Sequence, residues 1–178
     1  MNDVAPPSAY GALIEPATLK IQRRLPGRIE RVWAYLTESD LRKQWLASGQ
    51  MEMKVGATVE LTWRNDQLTD PPGQRPAGFG AEHSMQSTIT ELDPPRRLAF
   101  TFGAAGHVTF ELEPKGDATL LTVTHRRLPD ERAMKLKVSA GWHAHLDVLA
   151  ARIAGTAPAP FWDHWSRLQQ DYDKALPA

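Results

Sequence analysis

The chain has 178 residues, in which 21 Lys and Arg balance 21 Asp and Glu to a formal net charge of zero, and it contains no cysteine. That length holds one core-bearing domain with extensions. The balanced charge gives no electrostatic pull toward nucleic acid or an anionic membrane surface, and the missing thiols exclude disulfides and thiolate chemistry.

No apolar run approaches the roughly 20 residues that a membrane span needs. The opening Met-Asn-Asp-Val-Ala-Pro-Pro-Ser has no basic segment followed by an apolar stretch, so no secretion signal is expected and the protein reads as soluble and cytoplasmic. Residues 1–17, with Pro6, Pro7, Gly11 and Pro16, are expected to form an irregular lead-in. Leu19, Ile21 and Leu25 share one parity against Lys20, Gln22 and Arg24, which predicts a first half-buried strand ended by Pro26-Gly27. Ile29, Val32, Trp33 and Leu36 then follow a helical period. Thr37 with Asp40 has the spacing of a capping box, predicting a second short helix that carries Leu41 and Trp45 toward Gly49.

Beyond Gly49 the period switches to two. Met51, Met53 and Val55 alternate, Gly56 turns, and Val59, Leu61 and Trp63 alternate again, predicting a hairpin. Residues 64–80 carry Pro71, Pro72, Gly73, Pro76, Gly78 and Gly80 without any pattern, as a lid or the mouth of a binding site would. Four more strands follow, through His83 to Ile89, Leu98 to Phe102, Val108 to Leu112 and Leu121 to His125, and an antiparallel meander is their economical topology.

Pro129-Asp130-Glu131 opens a long helix that Gly155 ends. Within it Trp142, Leu146, Leu149 and Ile153 form one apolar stripe that needs a partner surface, and the strands upstream supply one. The expected fold class is therefore α+β, with an antiparallel sheet against a long C-terminal helix, two short helices after the first strand and an extra helix at the end. Residues 18–156 form the domain. Residues 157–178 carry Phe161, Trp165, Leu168 and Tyr172 at helical spacing, a stripe that serves either to dock on its own domain or to make a homodimer.

Several phrases, taken in order, resemble one family. They are Arg31-Val32-Trp33, Trp45-Leu46, Lys54-Val55-Gly56, Glu91-Leu92-Asp93-Pro94-Pro95-Arg96-Arg97-Leu98, Val108-Thr109-Phe110-Glu111-Leu112-Glu113-Pro114, Leu121-Thr122-Val123-Thr124-His125 and Gly141-Trp142. From about Thr18 to Gly155 the chain resembles the SRPBCC or START-like superfamily, in the branch related to the C-terminal domain of activators of the heat-shock protein 90 ATPase. The resemblance implies a helix-grip fold, a curved sheet around the long helix with an apolar cavity between them. It implies a range of functions that includes carriage of apolar molecules, polyketide cyclisation and regulation of a chaperone, so fold alone does not assign one.

An apolar or amphipathic small molecule is the expected ligand, in the cavity between sheet and helix. Trp63, Phe100, Phe110, Trp142 and Leu149 would line that cavity, and His83, Ser87, His125 and His145 would supply its polar points. His83 or His125 could move a proton on a polyketide-like substrate, although a strand-end imidazole bonded to backbone explains the same positions. No nucleophile, cofactor or metal is expected. His143 and His145, two apart on a helix, point about 200° apart and cannot share an ion. His143 and Asp147, one turn apart, offer two ligands where a site needs three or four.

Overall fold

The computed structural model describes residues 9–15 and 17–175. Its elements in chain order are β1 (Ala12–Glu15), β2 (Thr18–Pro26), α1 (Ile29–Thr37), α2 (Ser39–Arg42), β3 (Thr58–Trp63), β4 (His83–Asp93), β5 (Arg97–Thr101), β6 (His107–Lys115), β7 (Ala118–Arg126), α3 (Arg132–Ala154) and α4 (Phe161–Ala175). The strands form one antiparallel sheet of seven, in the order β1-β2-β7-β6-β5-β4-β3. β3 to β7 follow the expected meander. β2 crosses over to pair with β7 from Leu19↔His125 to Pro26↔Ala118, which brings the start of the domain beside its last strand. One face of the sheet carries the apolar parity that the sequence predicts: Leu19, Ile21, Val59, Leu61, Ile89, Phe100, Phe110, Leu121 and Val123 are all buried. Against them lies the stripe of α3, with Trp142, Leu146, Leu149 and Ile153 buried. α3 ends at Gly155 in the left-handed conformation (φ 73°), which a residue without a Cβ adopts at least cost.

Four local expectations need correction. The lead-in is not wholly irregular, because Ala12–Glu15 pairs with β2 and extends the sheet edge; four residues are too few for a visible alternation. Residues 1–8 and 16 lie outside the described residues. The predicted first arm of the hairpin, Met51 to Val55, is not a strand. Met53 and Val55 are 40% and 56% exposed, so their alternation has no buried face to serve, and beyond β3 the sheet gains, among the described residues, an isolated Ser48↔Thr62 bridge.

Thr37 and Asp40 form no capping box. The Thr37 hydroxyl donates back to the Trp33 carbonyl (3.0 Å), and Glu38 occupies the cap position with no side-chain bond. The second helix is a single turn because Arg42 is buried at its end. Its guanidinium donates to the carbonyls of Ala47 (3.0 Å), Leu36 (3.3 Å), Thr37 (3.1 Å) and Gly49, so the chain wraps around the cation and does not continue as helix. Burial lowers the Arg42 pKa to about 10, which still leaves it charged at neutral pH.

Residues 64–80 are not a free lid. They clamp α4 onto the domain: the Phe161 N–H donates to the Thr69 hydroxyl (3.0 Å), the Trp162 N–H to the Pro72 carbonyl (2.9 Å) and the Trp162 indole N–H to Asp66 (2.7 Å). Phe79 seats its ring between Trp162 and Trp165, at 5.0 and 5.1 Å. Phe161, Trp165, Leu168 and Tyr172 are thereby buried within their own domain. Of the two uses expected of that stripe, docking on its own domain is the one these contacts make.

Candidate functional site

Strand parity and the α3 stripe bring most of the expected residues into one aromatic column. At its outer end is His83, exposed, its ring 5.9 Å from that of Trp63. Trp63 and His83 are register partners across β3 and β4, which puts both side chains on one face. Trp63 meets Phe102 edge-on at 5.8 Å, and Phe102 meets His125 at 4.9 Å and Trp142 at 6.0 Å. Deeper still, Phe110 touches Trp142 (5.8 Å), Phe100 (5.4 Å) and Trp45 (6.3 Å). Such edge-to-face packing fills the interior ring against ring. The hollow expected between sheet and helix is therefore occupied by side chains. Two surface clefts lie elsewhere, one of about 220 Å³ around Arg97, Glu111 and Thr122 and one of about 460 Å³ around Arg75, Asp163 and Arg167.

His125 is the polar centre of the column. The Trp142 indole N–H donates to its Nδ1 at 3.0 Å, so the ring proton sits on Nε2, which donates to the Ala105 carbonyl at 2.7 Å. Burial lowers its pKa to about 4, against a smaller opposing pull from that carbonyl. The imidazole is neutral at pH 7 with both nitrogens engaged, and in this arrangement it has no lone pair for proton transfer. Ala105 can offer its carbonyl because the 103–106 turn folds over the ring. Gly106 holds φ 117°, and a Cβ there would lie 2.2 Å from the Arg126 carbonyl and 3.1 Å from His125 Nε2. Ser87 lies opposite Val59 in the register and is buried, and its hydroxyl has no hydrogen-bond partner among the described residues.

His145 does not belong to this column. It faces the segment after α2 and the start of α4, where Nδ1–H donates to the Trp45 carbonyl (2.7 Å) and the ring packs on Phe161 at 4.8 Å. Burial lowers its pKa to about 4 as well. Leu149 is fully buried in the common core. Phe102 and Trp45 complete the column although the sequence reading did not place them in the site. For Phe102 the signal was available, since it shares parity with Phe100.

The model of the Activator of Hsp90 ATPase homolog 1-like protein family matches residues 27–154. The chain belongs to that family. The match runs from just after β2 through α3, so the aromatic column lies within the shared part and α4 lies outside it. Among solved structures, this AHSA1-like chain is similar to the protein encoded by gene BPP1335 from Bordetella parapertussis, at 39% identity over 97% of this chain and 93% of that one, with a TM-score of 0.78. It is similar in fold to CalU16 from Micromonospora echinospora (23% identity, 89% and 84% covered, TM-score 0.64). It is also similar in fold to DynU16, described as a putative protein in the dynemicin biosynthetic locus (19% identity, 80% and 49% covered, TM-score 0.61). No curated protein matches the chain. Among the described residues, no helix of this AHSA1-like protein is long and apolar enough to cross a membrane.

Proposed function

We propose that this AHSA1-like protein binds an apolar or amphipathic small molecule between the sheet and α3, admitted at the end where His83, Trp63, Phe102 and the 103–106 turn meet. The observation that carries this reading is the column of rings running from solvent-exposed His83 to the buried His125–Trp142 pair. Apolar walls with a few fixed polar points are what small-molecule sites use, and the unpartnered Ser87 hydroxyl is one more such point. Because rings fill the interior, a guest enters only as rim side chains move outward. Phe102 and Met85, both only half-buried, are the ones placed to do so. The family resemblance includes polyketide cyclisation, and DynU16, from the dynemicin biosynthetic locus, shares the fold; polyketide-like aromatics are the first compounds to try.

The experiment is a panel of fatty-acyl and fused-ring aromatic compounds, read by thermal shift, native mass spectrometry and quenching of the buried tryptophans. A ligand at 100 times its dissociation constant adds about 2.7 kcal/mol of stability, a shift easily measured. Absence of saturable quenching and of any mass adduct across the panel overturns the proposal. The family's name supplies a second partner class, a chaperone ATPase. Stimulation of such an ATPase by this protein, unaffected by Phe102→Ala, would favour that reading over the ligand site.

A further inference from the structure

Away from the column, α3 and α4 bring together three side chains that no step above uses. His143 and Asp147 lie one turn apart on α3, and α4 adds His164. One ligand atom from each lies within 4.8 Å of the others. We propose that these residues form a binding site for a zinc-like divalent cation, a two-histidine, one-carboxylate set with its remaining position open to solvent.

The two imidazoles already point at one spot. His164 Nε2–H donates to Asp147 Oδ2 at 2.7 Å, and His143 Nε2 lies 3.3 Å from the same oxygen. Zinc–nitrogen bonds of 2.0–2.1 Å put tetrahedral ligand atoms about 3.3 Å apart, so the set needs adjustments below about 1.5 Å to accept the ion. A cation takes the place that two imidazole N–H protons now occupy against Oδ2.

The surroundings suit the exchange. His143 Nδ1 faces the Tyr172 hydroxyl at 2.9 Å, and that hydroxyl accepts the Gly11 N–H at 2.7 Å. Once Nε2 binds metal, the His143 proton moves to Nδ1 and donates to Tyr172, the outer partner that fixes a metal-bound imidazole. Arg23 holds Asp147 Oδ1 (3.1 Å) and leaves Oδ2 for the ion. Burial pushes the Asp147 carboxyl up, but the His143 and His164 bonds and the Arg23 charge outweigh it and hold it well below the usual carboxylate range. His143 is 5% exposed, whereas Asp147 and His164 are 36% and 19% exposed, which gives the ion an entry path. One contact opposes binding: Arg167 donates to His164 Nδ1 (2.9 Å), and it must swing into solvent when that nitrogen takes the proton.

The test is calorimetric titration of the metal-stripped protein with zinc chloride at neutral pH, with cobalt(II) absorption as the geometric readout. One equivalent should bind, with visible d–d bands of a low-coordinate site and a rise in Tm. His164→Ala should weaken binding by at least about 100-fold, the upper end of what loss of an outer-shell partner costs, because it removes a ligand outright, and should abolish the Tm rise. Arg167→Ala should tighten binding several-fold, an effect no purely structural role produces. Because His164→Ala also removes a bond between α4 and α3, imidazole-proton shifts of His143 and His164 are followed by NMR in the unmodified protein during zinc titration. Failure to bind one equivalent, unmoved imidazole signals, or binding indifferent to His164→Ala and Arg167→Ala each overturns the site.

Discussion

Mild acid should unfold this protein through two histidines, and the effect can be worked from the structure. His125 and His145 are each buried, neutral and hydrogen-bonded to a backbone carbonyl, with folded pKa values of about 4 against an ordinary value of 6.5. A depressed folded pKa means that the unfolded chain binds protons first. The stability each neutral ring confers is fully present above pH 6.5 and is lost as pH falls toward 4. At pH 5 the linkage amounts to about 2 kcal/mol per histidine, about 4 kcal/mol together, a large part of the 5–15 kcal/mol by which domains are stable. Asp147, with its carboxyl held below the usual range, adds acid sensitivity only below about pH 4, so the two windows separate. Urea unfolding followed by near-UV circular dichroism from pH 7.5 to 4.5 measures the slope. His145→Asn is the informative variant, because its amide N–H can replace Nδ1–H toward the Trp45 carbonyl without titrating. It should halve the loss between pH 7 and 5, while costing about 1–2 kcal/mol at neutral pH for the packing lost against Phe161. A flat stability profile between pH 7 and 5, or an unchanged slope in His145→Asn, refutes the reasoning.

Three further perturbations follow from named contacts. Trp142→Phe keeps a ring on Phe110 but leaves His125 Nδ1 buried without its donor, and should cost about 1–3 kcal/mol in urea unfolding. Arg42→Met strips the donor from four carbonyls at once and should lower stability by at least about 3 kcal/mol, with Arg42→Lys unable to restore it for want of a fork. A chain ended at Ala157 loses the helix that covers Phe79 and the outer side of α3; in sedimentation it should aggregate or unfold, and a well-folded monomer would show that α4 is dispensable.

The column was legible where period alone speaks. Trp63, Phe100, Phe110, His125 and Trp142 fall on inward parities, and their side chains pack in one column. His145 lies outside the column because position on a helix edge does not say which neighbour the edge meets; the Trp45 carbonyl and the Phe161 ring decide it. His164 was overlooked as a companion of His143 and Asp147, since it lies in a different helix and nothing local ties the two together. The capping box failed for a similar reason, because the demand of a buried guanidinium for carbonyls outweighed a local hydrogen bond.

The sequence by itself determined the α+β class, the faces of β2 to β7 and the stripe of α3, because alternation and helical period are local consequences of which side chains avoid water; the family resemblance rests on the order of its phrases and not on any period. Tertiary structure decided how the interior is filled, where the 64–80 segment and α4 lie, and which polar groups meet across helices. Those outcomes depend on volumes and on hydrogen-bond partners drawn from segments far apart in the chain, and no periodicity encodes them.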